Sequence, residues 1–72
     1  MKNLEKQGSA FREFRKRNNF TIEEVTNKLN KSKVWLSEIE NGKKNIYFED
    51  AKKFCKLYGI TLDDVSNLID EL

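Results

Sequence analysis

Residues 20–42 read Phe20-Thr21-Ile22-Glu23-Glu24-Val25-Thr26-Asn27-Lys28-Leu29-Asn30-Lys31-Ser32-Lys33-Val34-Trp35-Leu36-Ser37-Glu38-Ile39-Glu40-Asn41-Gly42, and this stretch marks the ends of two short helices. Thr21 is an N-cap, and Glu24 three residues later completes a capping box in which each side chain accepts the other's backbone N–H. Phe20 before the cap and Val25 beyond it fit a hydrophobic staple. Val25 and Leu29 share one face, so the helix spans about 21–29, and Asn30 suits a left-handed C-cap. Ser32 caps the next helix, which carries Trp35, Leu36 and Ile39 and stops at Asn41-Gly42. A connection of two or three residues makes the pair cross steeply.

The same signals recur on both sides. Ala10, Phe11 and Phe14 mark a first helix ending in Arg15-Lys16-Arg17, cations that suit the negative end of the helix dipole. Asn18-Asn19 reads as its turn, because Asn tolerates the left-handed conformation. A fourth helix spans about 48–58, with Phe48, Ala51, Phe54, Cys55 and Tyr58 inward and Gly59 at its end. Thr61 caps a fifth helix with Asp63-Asp64 in its first turn. The expected fold is all-α, a compact bundle of five helices. Residues 1–7 read as a tail, 8–66 as the domain and 67–72 as an extension of the last helix.

Composition narrows the function. The chain has 72 residues, one Cys and no His. Intrachain disulfides, zinc fingers and Ser-His-Asp chemistry are therefore excluded. No stretch approaches the ~20 apolar residues of a membrane helix, and no signal-peptide core opens the chain. The expectation is a cytoplasmic, non-enzymatic protein with no cofactor and no metal. Charge is uneven beneath a net +2: residues 1–44 hold 11 Lys/Arg against 6 Asp/Glu, and residues 45–72 hold 3 against 6. A basic front and an acidic back fit an anionic partner on one side, although a mixed soluble surface has the same composition.

The ordered set Gly8, Phe11, Arg15, Phe20-Thr21, Glu24-Val25, Leu29, Ser32, Leu36-Ser37, Ile39-Glu40-Asn41-Gly42 and Gly59-Ile60-Thr61-Leu62-Asp63 resembles the lambda-repressor-like, Cro-type helix-turn-helix family of phage and bacterial transcriptional regulators. The likeness covers about residues 8–66. It departs from the family pattern at Ile22, where Gln is usual and often meets a phosphate. It departs also at Thr26 (usually Ala), Asn30 (usually Gly) and Ile46 (often Pro).

The resemblance implies double-stranded DNA as partner, with the third helix in the major groove. With Leu36 and Ile39 inward, the outer face presents Lys33, Val34, Ser37, Glu38 and Asn41. Lys33 suits guanine O6/N7, Val34 a thymine methyl, and Glu38 a cytosine N4 amino group, with Ser37 beside them. Lys33 and Glu38 also read as ordinary solvated residues, whereas an exposed Val calls for a partner. Backbone contacts are expected from Thr21, Lys31, Ser32, Trp35 and Asn41, and from the loop residues Lys43, Lys44 and Asn45. Lysines in that loop lend affinity without sequence information. Lys28 is a further candidate at the end of the second helix. By resemblance Arg15 and Glu40 form a partly buried ion pair, the competing reading being Arg15 as a phosphate ligand. Cys55 reads as a small buried hydrophobe rather than a redox sensor.

The implied function is sequence-specific transcriptional regulation, with repression by promoter occupancy. Val65, Leu68, Ile69 and Leu72 form an i, i+3, i+4, i+7 stripe. Packing inside the monomer is expected to absorb Leu62 and Val65, and Leu68, Ile69 and Leu72 are expected as an exposed homodimer interface. A frayed tail or a stripe folded onto the first helix near Leu4 is the alternative. Two other functions stay open: a protein-binding regulator of antitoxin or antirepressor type, and a DNA-targeting piece of a longer ligand-sensing chain.

Overall fold

Both helices read from residues 20–42 form with the caps their sequences dictate. The computed structural model describes residues 2–72, with side chains from Leu4 onward. Five helices follow in order: α1 (Lys2–Arg17), α2 (Ile22–Leu29), α3 (Lys33–Glu40), α4 (Phe48–Tyr58) and α5 (Leu62–Glu71). The described residues contain no strand. The fold is the all-α, five-helix arrangement expected.

At the start of α2 the Glu24 N–H donates to Thr21 Oγ1 at 3.1 Å, and the Thr21 N–H donates to Glu24 Oε1 at 2.8 Å. Ser32 Oγ accepts from the Trp35 N–H at 3.1 Å. Thr61 and Asp64 form a second capping box at α5. Asn30 (φ 58°) closes α2, and Asn19 (φ 59°) turns the chain after α1. The Asn18 amide bonds the carbonyls of Phe14 and Tyr58, tying this turn to the end of α4. The buried Thr26 hydroxyl donates to the Ile22 and Glu23 carbonyls at 3.0 and 3.1 Å, so it adds no unsatisfied group where α2 meets α3.

Phe54 is fully buried at the centre of the core. Its ring stacks on Trp35 at 5.8 Å and on Tyr58 at 5.6 Å, and meets Phe11 at 5.1 Å with a 35° tilt. These contacts join α1, α3 and α4 through one side chain. Cys55 is buried, and burial raises its thiol pKa, as does the nearby Asp64. That environment suits packing, not nucleophilic chemistry.

Four expectations are corrected. Residues 2–7 are not a tail before the first helix; they are its opening turns. The reason is a close crossing of α1 over the end of α3. A Cβ on Gly8 would collide with the Ile39 carbonyl oxygen and come within 2.7 Å of that of Glu40. A Cβ on Gly42, which sits at φ +75°, would come within 2.8 Å of Glu5 Cα. Phe48, expected inward, is 63% exposed. It opens α4 ahead of the first inward position, Ala51, and Lys52 lies over its ring at 5.5 Å. Leu68, expected in an exposed dimer patch, is only 8% exposed. α5 packs along α1, which buries Val65 and Leu68, the latter beside Phe14 and Arg17. Ile69 is left half-buried and Leu72 exposed, and Leu62, expected inside the monomer, is 44% exposed in the first turn of α5.

Gly8→Ala should destabilise the chain by about 1–3 kcal/mol, since overpacked atoms here meet backbone and not flexible side chains. Thermal unfolding followed by circular dichroism should show Tm falling ~4–8 °C per kcal/mol; an unchanged Tm would contradict the crossing.

Candidate nucleic-acid interface

α3 spans only about two turns, and its position is fixed from behind. Leu36 and Ile39 are buried, and Glu40 at its end is buried with Arg15 of α1. Arg15 Nε donates to Glu40 Oε2 at 2.7 Å and Nη2 to Oε1 at 3.0 Å, a two-point pairing. A third donor, Nη1, bonds the Phe20 carbonyl at 2.8 Å, just ahead of α2. One guanidinium thus ties α1, the start of α2 and the end of α3. Its hydrogen bond to Glu40 holds it further above its ordinary pKa, against the opposing effect of burial. Arg15 is engaged inside the protein and is not a free phosphate ligand.

The opposite side of α3 faces solvent. Lys33 and Val34 are exposed, Val34 at 66%, while Ser37 and Glu38 are half-buried. These four line an open cleft of about 690 Å³ together with Thr21, Ile22 and Glu23 from the start of α2, and with Phe20 and Arg15. Asn41 donates to Ser37 Oγ at 3.3 Å, so two of the expected contact residues orient each other. Ser32, Lys43, Lys44 and Asn45 are exposed on either side of α3.

Two acidic residues partner cations on this face. Glu23 Oε1 lies 3.6 Å from Lys33 Nζ, and Glu38 Oε1 lies 3.7 Å from Lys44 Nζ. Exposed pairs of this kind contribute ~0–1 kcal/mol, so a phosphate can displace the carboxylate readily.

Not every expected contact residue joins the cleft. Lys31 sits over the Trp35 ring at 5.1 Å, with Asp50 at 4.0 Å from its ammonium. Trp35 itself is half-buried and stacked on Phe54. Lys28 lines a separate groove with Leu29, Lys53, Lys56 and Leu57. Ile22 and Glu23, by contrast, line the cleft although the sequence reading assigned them no contact. An apolar residue in the first turn of a capped helix was the available signal for Ile22.

Among the described residues, no helix is long and apolar enough to cross a membrane. Among the described residues, no group of His, Cys, Asp or Glu side chains is arranged to hold a metal ion. No curated protein and no solved structure matches the chain. A family model described as a helix-turn-helix domain matches residues 8–68. With α2 and α3 forming the short-turned pair and the solvent face of α3 open beside α2, the chain belongs to the helix-turn-helix domain family of DNA-binding regulators.

Proposed function

We propose that this protein is a Cro-type, lambda-repressor-like transcriptional regulator that acts in the cytoplasm by occupying a promoter. The observation carrying this reading is the exposed face of α3. Lys33, Val34, Ser37 and Glu38 present a cation, an apolar group, a hydroxyl and a carboxylate, the range of chemistry that base edges in a major groove distinguish. Thr21, Ser32, Trp35, Asn41, Lys43, Lys44 and Asn45 flank that face and would meet the phosphate backbone, with Lys31 at its margin. Binding blocks or recruits polymerase without chemistry at the protein.

One module of this size buries only ~600–1,000 Å² on DNA, too little for tight binding at physiological salt. We therefore infer a homodimer on a two-fold operator, with half-sites about one helical turn apart. Burial of Leu68 leaves Ile69 and Leu72 as the residues of the original stripe available for it. The chain's Glu23 and Glu38 beside its cations also suit a protein-binding regulator of antitoxin or antirepressor type, in which DNA is not the main ligand.

Fluorescence anisotropy with a random-sequence duplex separates these readings. The regulator should bind with a roughly micromolar Kd that weakens steeply as salt rises. Lys43→Ala and Lys44→Ala should weaken all sequences alike, each lowering the slope of log affinity on log salt by about 1. No binding at low salt would favour the protein-binding reading. A changed sequence preference in either variant would overturn the backbone role of this loop.

A further inference from the structure

A second groove lies between the end of α2 and the later turns of α4, and it shares no residue with the cleft beside α3. Its floor is Leu29 and Leu57, both half-buried where they meet the core. Lys28 stands on the α2 edge, and Lys53 and Lys56 stand on the α4 edge, all three exposed. Among the described residues none of these lysines pairs with a carboxylate, whereas Lys31, Lys33 and Lys44 each have one. Lys28 has the Phe20 ring at 5.9 Å instead. Like charges gathered around an apolar floor repel one another, so stability does not account for them. An apolar stripe edged by cations is complementary to an apolar stripe edged by anions.

We propose that this groove docks an acidic amphipathic helix of a partner protein, with apolar anchors over Leu29 and Leu57 and carboxylates meeting Lys28, Lys53 and Lys56. A helix supplies that pattern directly, because residues three and four apart form one apolar stripe with charges on both flanks. A phosphate backbone would use the cations but leave the leucine floor with no apolar partner. The chain's own acidic helix, α5, is a poor occupant in a second copy, since its Val65 and Leu68 are already buried in its own core. Docking here leaves the outward residues of α3 uncovered, so the site stands whether or not that face reads DNA.

The probe is a fluorescein-labelled synthetic helix of about 15 residues, with Leu recurring three and four apart and Glu on both flanks. Fluorescence anisotropy with the full chain at about 0.15 M salt, where distant charges are screened, should give saturable binding with a Kd on the order of 10–100 μM. The same peptide with its Leu positions scrambled, or with Glu replaced by Gln, should bind about tenfold more weakly. Lys53→Glu/Lys56→Glu should cost about tenfold, whereas the charge-matched Lys6→Glu/Arg12→Glu on α1 should change affinity less than about twofold. All four side chains are exposed. Tm by circular dichroism should therefore stay within about 5 °C of the parent, so both variants are folded when binding is read. No saturation by about 1 mM probe, equal affinity for the scrambled peptide, or indifference to Lys53→Glu/Lys56→Glu would each overturn the proposal. Displacement of the probe by random-sequence duplex would assign the lysines to phosphates and overturn it. Self-association in the ultracentrifuge that is lost in Lys53→Glu/Lys56→Glu would give the groove to a second copy, and would overturn it too.

Discussion

Arg15 reaches from the last turn of α1 to both carboxylate oxygens of Glu40 and, with a third donor, to the Phe20 carbonyl. A buried pair of charges adds little net stability compared with an apolar replacement, but it tolerates few arrangements. Losing either partner strands a charge away from water, at a cost of about 3–5 kcal/mol. This constraint matters because α2 and α3 are eight residues each, too short to persist without tertiary support. The ion pair holds the end of one and the approach to the other, so the cleft between them keeps its shape.

The close passage of α1 depends on the same region. Gly8 allows the α1 backbone to lie on the last carbonyls of α3, and Gly42 allows the following turn to lie against Glu5. The outward residues of α3 face solvent because the rear of that helix is occupied by backbone, apolar side chains and one ion pair. The candidate site is built outward from the core, with Lys33 and Lys44 in weak pairs with Glu23 and Glu38. Such pairs hold lysine side chains near the groove without committing them.

Local signals in the sequence were enough for the helix pair. Thr21, Glu24, Asn30 and Ser32 adopt the capping roles their chemistry implies, because capping is decided within a few residues. The opening of α1 was not legible: Leu4 is the lone large apolar residue between Lys2 and Gly8, so the segment has no periodic stripe to read. Its helicity comes from contact with the end of α3. Leu68 was misplaced for a different reason: it lies with Phe14 and Arg17 at the far end of α1, a packing of helix on helix that spacing along α5 alone does not reveal. Phe48 and Leu62 sit in the first turns of their helices, where a stripe drawn from spacing alone does not reveal whether a neighbour lies opposite. In the candidate site, α3's outward residues followed from the inward phase of Leu36 and Ile39. The share of the cleft contributed by Ile22 and Glu23 required knowing how α2 crosses α3.

The most direct measurement is a titration of the isotopically labelled full chain with its selected duplex, following backbone amide shifts by nuclear magnetic resonance. The account predicts the largest changes at residues 20–23, 32–38 and 41–45, with those on the remote faces of α4 and α5 nearly still. Changes centred instead on the groove of Lys28, Lys53 and Lys56, or on α5, would contradict the assignment of α3 and its cleft as the DNA-reading surface.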